Sequence, residues 1–384
     1  MTSPIATTPA FSPAPECVAA GARRPGALVD RFGRRIDYLR VSLTERCNLR
    51  CDYCVAGTAT DGGGRVDASA ESPGRASLTM AEVERLCAIA AEEGVRRVRL
   101  TGGEPLLAED VAGLVRRLRA LPGIEDVALT TNGTLLAAQA DALARAGLSR
   151  VNISLDSLDA DEFARITGGG RLGDALAGVQ SALAAGLRPV KLNAVVTGSA
   201  AQDLLGLASL SLAAPLHVRF IERMALGPQD ARDDGSTAEA ADAAHMPQVA
   251  AAGSTAPGTT RDRSAALADA AGLGDLEAVP LAEQPTGWGP ARVYRFPGAA
   301  GTVGFISAAT DGSCARCSRL RLTADGYLRP CLLGPDEVDL AAMLRAGTDD
   351  DVRATLYAAV AAKPARGNAG AGAVGTRPMT RIGG

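Results

Sequence analysis

Asp37-Tyr38-Leu39-Arg40-Val41-Ser42-Leu43 reads as a short strand, and its carboxyl end runs through Thr44 and Glu45 into Arg46-Cys47-Asn48-Leu49-Arg50-Cys51-Asp52-Tyr53-Cys54. Three thiols at C-x-x-x-C-x-x-C spacing can hold three irons of a four-iron cluster, leaving the fourth iron without a protein ligand. A structural metal site closes its coordination shell, whereas a catalytic one keeps a position open. A strand that delivers such a loop is also the first beat of a βα rhythm, and the rest of the chain keeps that rhythm.

Thr79 caps a helix running to about Glu93, and 95–100 forms the next strand. Strand patterns follow at 126–130, 150–155, 190–196 and 216–221, separated by helical stretches such as 110–120 and 173–185. Six strands alternating with helices imply parallel pairing and right-handed crossovers. The fold class is therefore α/β: a partial (β/α)6 TIM-like barrel with a C-terminal cluster-binding extension containing a small antiparallel β unit. The competitor is an open doubly wound sheet, but the Gly-rich phosphate fingerprint it needs after the first strand is absent.

Composition divides the chain further. Residues 1–27 are rich in Pro, Ala, Ser and Thr and read as a disordered tail, and 28–226 form the barrel. The Gly-rich stretch 55–77 reads as a long flexible loop, and 227–290 as a low-complexity insertion. The extension covers 291–384, with strands expected at 303–306, 320–323 and 327–332. Asp325-Gly326 joins the last two as a hairpin, and helices are expected at 336–345 and 350–361.

With 47% hydrophobic but only 3% aromatic residues, the core must be filled by aliphatic side chains. A net charge of −3 gives no global case for nucleic acid or an anionic membrane, so any anion site must be local. It must also rely on arginine, because Lys191 and Lys363 are the only lysines. Eight cysteines are too sparse for a disulfide scaffold, and six fall into two tight groups, which favours metal ligation in a reducing compartment. Cys17 reads as tail and Cys87 as helix packing. No apolar run is long enough for a bilayer and no secretory pattern opens the chain, so a cytoplasmic location is expected. An organelle transit peptide is the weaker alternative, on Arg23 and Arg24 in an acid-poor leader.

The conspicuous residues of the barrel fall at strand ends. Thr101-Gly102-Gly103-Glu104-Pro105 follows the second strand, and Thr130-Thr131-Asn132-Gly133 ends the third. The fourth carries Ser154 and Asp156, the fifth Lys191 and Asn193, and the sixth leads to Met224. Gly102 and Gly103 permit close backbone approach, and Glu104 offers a carboxylate that could receive an ammonium group. A second group, Cys314-Ala315-Arg316-Cys317, precedes Arg319-Leu320-Arg321 and is completed across the hairpin by Cys331. Either triad could instead be a zinc site with an outside fourth ligand.

Cys47, Cys51 and Cys54, with Tyr53 before the last and Gly102-Gly103-Glu104-Pro105 downstream, resemble the radical S-adenosylmethionine enzymes. Two cysteine triads, an Arg-rich strand in the second and a terminal Gly383-Gly384 narrow the likeness to the GTP 3′,8-cyclase family of molybdenum cofactor biosynthesis. The resemblance covers most of 30–384 outside the insertion. It implies two 4Fe-4S clusters, one on each triad, and S-adenosylmethionine against Tyr53, Gly103, Ser154 and Met224. It also implies GTP against Arg40, Arg99, Thr130, Lys191, Arg319, Leu320 and Arg321, with the Gly383-Gly384 tail entering the active site. The implied reaction removes the ribose 3′ hydrogen of GTP with a 5′-deoxyadenosyl radical and joins that carbon to C8 of guanine, giving (8S)-3′,8-cyclo-7,8-dihydroguanosine 5′-triphosphate. A homodimer, an external electron donor and a downstream cyclic pyranopterin monophosphate synthase come with the same resemblance. Rival readings are another radical enzyme with an auxiliary cluster, of maturase type, and a non-enzymatic iron-sulfur or zinc module.

Overall fold

A computed structural model describes residues 26–55, 75–197, 199, 201–223, 276–286, 289–306, 313–367 and 379–382 of the chain. The expected N-terminal tail up to residue 25, most of the loop after Cys54, the insertion between 227 and 275, Met224 and Gly383-Gly384 lie outside the described residues.

Six strands appear near the expected places: β1 (Tyr38–Ser42), β2 (Arg97–Thr101), β3 (Asp126–Thr131), β4 (Arg150–Ser154), β5 (Val190–Val196) and β6 (Leu216–Glu222). Between them run α1 (Asp52–Val55), α2 (Met80–Glu92), α3 (Val111–Ala120), α4 (Ala140–Arg145), α5 (Ala160–Thr167), α6 (Leu172–Ala184) and α7 (Leu204–Ala213). Local chemistry sets several boundaries. Thr79 and Glu82 form a reciprocal capping box on α2, and Asp110 and Asp159 each accept a backbone N–H at the start of α3 and α5. Neighbouring strands β1 through β6 lie in sequence order and are all parallel, which excludes the doubly wound alternative with its reversed strand order.

The extension differs from the sequence expectation in an instructive way. It supplies β7 (Glu277–Ala278), β8 (Arg292–Arg295), β9 (Thr302–Ile306), β10 (Arg319–Leu322), β11 (Tyr327–Arg329) and β12 (Val338–Asp339), then α8 (Ala341–Ala346), α9 (Asp349–Ala361) and α10 (Met379–Ile382). The expected hairpin at Asp325-Gly326 is present, with β11 antiparallel to both β10 and β12, but these strands are not set apart from the barrel and β9 is not part of the unit. All twelve belong to one sheet, in the order β12-β11-β10-β1-β2-β3-β4-β5-β6-β9-β8-β7. β9 continues the barrel parallel to β6 and β10 runs parallel to β1, so only the outer strands are antiparallel. β7 lies within the stretch read as insertion, because Val279 N–H donates to Val293 O and holds it at the sheet edge. The helix expected over 336–345 is shorter, since Val338 is taken by pairing with Leu328.

Strand alternation sorts the side chains. Leu39, Val41, Val98, Leu100, Val127, Leu129, Val151, Ile153, Leu192, Val218, Phe220, Leu320 and Leu322 join the aliphatic core beneath the helices. The intervening residues face the barrel interior. The C-terminal helices return to α2, where Arg353 pairs with Glu92 and Glu93, and Tyr357 Oη donates to Glu93 at 2.6 Å.

Phe220 packs on Phe305 with ring centroids 5.8 Å apart, joining β6 to β9. Phe220→Ala should cost about 3–5 kcal/mol. By contrast Leu281→Ala, at a side chain 84% exposed, should stay within about 0.5 kcal/mol. Chemical denaturation of the two variants against the parent checks both values.

Candidate active site

The barrel interior holds a cavity of about 350 Å³, and both cysteine triads line it. Sheet register fixes their arrangement. Cys47, Cys51 and Cys54 follow the carboxyl end of β1, whereas Cys314 and Cys317 precede the amino end of β10, which runs parallel to it. The triads therefore sit at opposite ends of the strands, separated by the length of a five-residue strand, about 17 Å.

At the first end, the cysteine loop is braced by backbone contacts. Arg50 N–H donates to Thr167 O at 2.9 Å, and Leu49 N–H points at Cys47 Sγ at 3.4 Å. Gly102 and Gly103 let the loop after β2 lie directly on it: a Cβ at Gly103 would stand 2.2 Å from Arg46 O, and one at Gly102 2.6 Å from Thr44 O. Glu104 is a correction to the sequence reading. Its carboxylate is fully buried and does not line the cavity. There it accepts from Leu106 N–H at 3.1 Å, Thr131 Oγ1–H at 2.7 Å and Asn132 N–H at 2.7 Å. Burial pushes its pKa up to about 7, against the pull of those donors. It ties the β2 loop to the β3 loop and does not present itself to a ligand ammonium. Tyr53 Oη donates to Asp156 Oδ2 at 2.9 Å, and burial raises Asp156 to about 6. Tyr53, Gly103 and Ser154 all line the cavity.

Arginines occupy the middle. Register sets Arg321 beside Arg40 and Arg40 beside Arg99 on adjacent strands, with Arg319 beside Tyr38. Arg219 of β6 reaches the same cavity. Burial, and then repulsion from the other guanidiniums, lowers Arg40 to about 10, Arg219 to about 9 and Arg321 well below its usual value. Arg99 stacks over the Tyr38 ring at 5.6 Å. Asn152, Asn193 and Thr130 add neutral hydrogen-bonding groups to the wall.

Two expected residues stand apart. Lys191 is buried, and its Nζ donates to Thr286 O at 2.6 Å, so it anchors the rim that brings Gly289 and Pro290 to the cavity. Burial and the neighbouring Arg219, Arg150 and Arg99 push its ammonium down to about 6. Leu320 alternates with Arg319 and Arg321, so its side chain lies in the core. Sequence reading missed Tyr38, Asn152, Arg219 and Lys363. Arg219 had a signal, as the one cation between core residues Val218 and Phe220 on a barrel strand.

At the second end, Cys314 and Cys317 are bonded through Cys317 N–H to Cys314 O at 3.2 Å, and Cys331 follows β11. Burial raises the Cys317 thiol, but Lys363 and Arg319 outweigh it and bring the pKa down to about 7. Among the described residues no three His, Cys, Asp or Glu converge tightly enough to hold a single metal ion.

A parallel barrel whose first strand delivers three thiols and a stacked Gly-Gly loop defines the radical S-adenosylmethionine class, and comparison with known proteins agrees. Residues 41–199 match the Radical SAM superfamily model and 273–369 the Molybdenum Cofactor Synthesis C model. The GTP 3′,8-cyclase of Pelotomaculum thermopropionicum is 44% identical over 92% of this chain and 99% of its own length. That of Mycobacterium sp. (strain KMS) is 39% identical over 99% of this chain and 100% of its own length. In fold, Streptococcus suis SuiB aligns over 84% of this chain and 67% of its own with a TM-score of 0.53 at 14% identity. The chain belongs to the GTP 3′,8-cyclase family. Membership implies a four-iron cluster and S-adenosylmethionine, and a three-thiolate donor set that leaves one iron open fits that cluster. No helix among the described residues is long and apolar enough to cross a membrane.

Replacing Glu104 by Ala should orphan three buried donors, at about 1–3 kcal/mol for each that finds no water. Glu104→Gln should lose less. Urea midpoints of both variants without bound cluster check the order.

Proposed function

We propose that this chain converts GTP to (8S)-3′,8-cyclo-7,8-dihydroguanosine 5′-triphosphate, the first step of molybdenum cofactor biosynthesis. The observation that carries the reading is a cavity lined by both thiol triads, with six arginines along its wall. Buried guanidiniums that crowd one another need several negative charges, and a triphosphate supplies them in the geometry that guanidinium forks match.

Cys47, Cys51 and Cys54 hold the first cluster, and Tyr53, Gly103 and Ser154, with Met224 beyond the described residues, contact S-adenosylmethionine. When bound, the reduced cluster and S-adenosylmethionine supply the radical that takes the ribose 3′ hydrogen. Cys314, Cys317 and Cys331 would hold a second 4Fe-4S cluster at the far end of the cavity, where its open iron could take the guanine ring. Arg40, Arg99, Arg319 and Arg321 bind the triphosphate, joined by Arg219, with Thr130 beside them and the Leu320 backbone carrying its two arginines. Lys191 acts through the rim it anchors. The family resemblance adds the Gly383-Gly384 tail, a homodimer, an external electron donor and hand-over to cyclic pyranopterin monophosphate synthase. Geometry does the remaining work: the barrel fixes ribose against the first triad and keeps water from the radical.

Anaerobically reconstituted, reduced protein given S-adenosylmethionine and GTP should form the cyclised nucleotide together with 5′-deoxyadenosine, as read by mass spectrometry. Absence of the nucleotide from protein with both clusters loaded sinks the proposal. Arg321→Ala or Arg219→Ala should weaken GTP binding by about tenfold or more, while the spectrum of the first cluster with S-adenosylmethionine stays unchanged. Equal GTP affinity in both variants would remove these arginines from the substrate site.

A further inference from the structure

Lys363 lies just past α9, where a helix end usually meets water, yet it is only 2% exposed. Its Nζ donates to Arg319 O at 2.8 Å and to Pro330 O at 2.6 Å. Those carbonyls belong to the two ends of the β10–β11 hairpin that carry Cys317 and Cys331. Burial lowers the pKa of the ammonium while the Cys317 and Cys331 sulfurs favour its charged form and Arg34 opposes it, and no carboxylate pairs with it among the described residues. A buried ammonium without a carboxylate is costly unless another anion stands beside it, and the anions within reach here are thiolates.

Residues 363–367 form a strap over the whole triad. Gly367 N–H points at Cys314 Sγ at 3.5 Å, and a Cβ at Gly367 would lie 3.0 Å from the Leu333 side chain and 3.3 Å from Cys331 Sγ, so the backbone passes close to the triad there. Arg34 fixes the strap from outside. Its guanidinium donates to Pro364 O at 2.6 Å, Ala365 O at 3.1 Å and Cys314 O at 2.7 Å, and Asp30 Oδ2 holds it at 2.5 Å. The strap thus turns one ammonium and one amide toward the triad.

We propose that Lys363 is a positioning residue of the second cluster, clamping the two cysteine-bearing hairpin ends together and setting that cluster's reduction potential with its positive charge. The inference rests on the reading that Cys314, Cys317 and Cys331 hold a 4Fe-4S cluster. Taking up one electron makes a thiolate-ligated cluster more negative, so a cation fixed beside its sulfurs in a poorly solvated site favours the reduced form. Removing the charge makes the cluster harder to reduce.

The test uses the full chain, reconstituted anaerobically, as wild type, Lys363→Met and Lys363→Arg. Iron and sulfide are counted, and midpoint potentials are followed by EPR on the signal that S-adenosylmethionine does not perturb. Wild type should hold about eight irons per chain, and about four would sink the second-cluster reading itself, leaving Lys363 without a partner. With both clusters loaded, Lys363→Met should shift the second midpoint to more negative potential, while Lys363→Arg stays near wild type. An unchanged midpoint in fully loaded Lys363→Met overturns the proposal. If Lys363→Met loses the second cluster, its retention in Lys363→Arg supports the charge assignment, and loss from both variants overturns it.

Discussion

Guanidinium groups packed side by side on adjacent parallel strands repel one another, and that repulsion is the constraint around which this barrel is built. Strands stand about 4.8 Å apart, so the register that aligns Arg321, Arg40 and Arg99 forces three cations into a row inside a poorly solvated space. A folded protein tolerates such a row when a polyanion is its ordinary occupant. On the proposed function, the thiol triads at the two ends of the strands are the two ends of one substrate site. A basic row alone would be a phosphate trap, and a triad alone an electron-transfer site.

The same register explains why residues singled out together divide into different roles. Arg319 and Arg321 face the cavity and Leu320 the core because side chains alternate along a strand. Glu104, in a motif that reads as a ligand-binding signature, spends both oxygens holding two loops in place. Gly102 and Gly103 serve first as the gap through which one loop lies on another. Much of the motif is thus scaffold for its neighbours.

Barrel strands, helices and both triads were legible in the sequence, because hydrophobic period and cysteine spacing are local signals. The placement of β9 and β10 was not. Short strands near a hairpin read as a small antiparallel unit, and nothing within them announces partners 85 residues or more away, as His217 and Thr302 prove to be. The role of Lys363, the other lysine, was hidden for a related reason, since its acceptors Arg319 O and Pro330 O come from chain segments brought together only by the fold. Lys191 stood out as one of two lysines, but its hold on Thr286 depends on a rim that composition alone assigns to an insertion.

The strand order carries a consequence for synthesis. β1 is among the first parts of the sheet to leave the ribosome, yet one of its two neighbours, β10, is among the last. Until residue 319 emerges, the paired edge of β1 has no cover, and contacts this distant in sequence form slowly. A nascent chain that has already made its first cysteine loop still lacks one wall of the compartment around it. Metal loading of that loop before β10 has paired with β1 would leave a half-built, oxygen-accessible site.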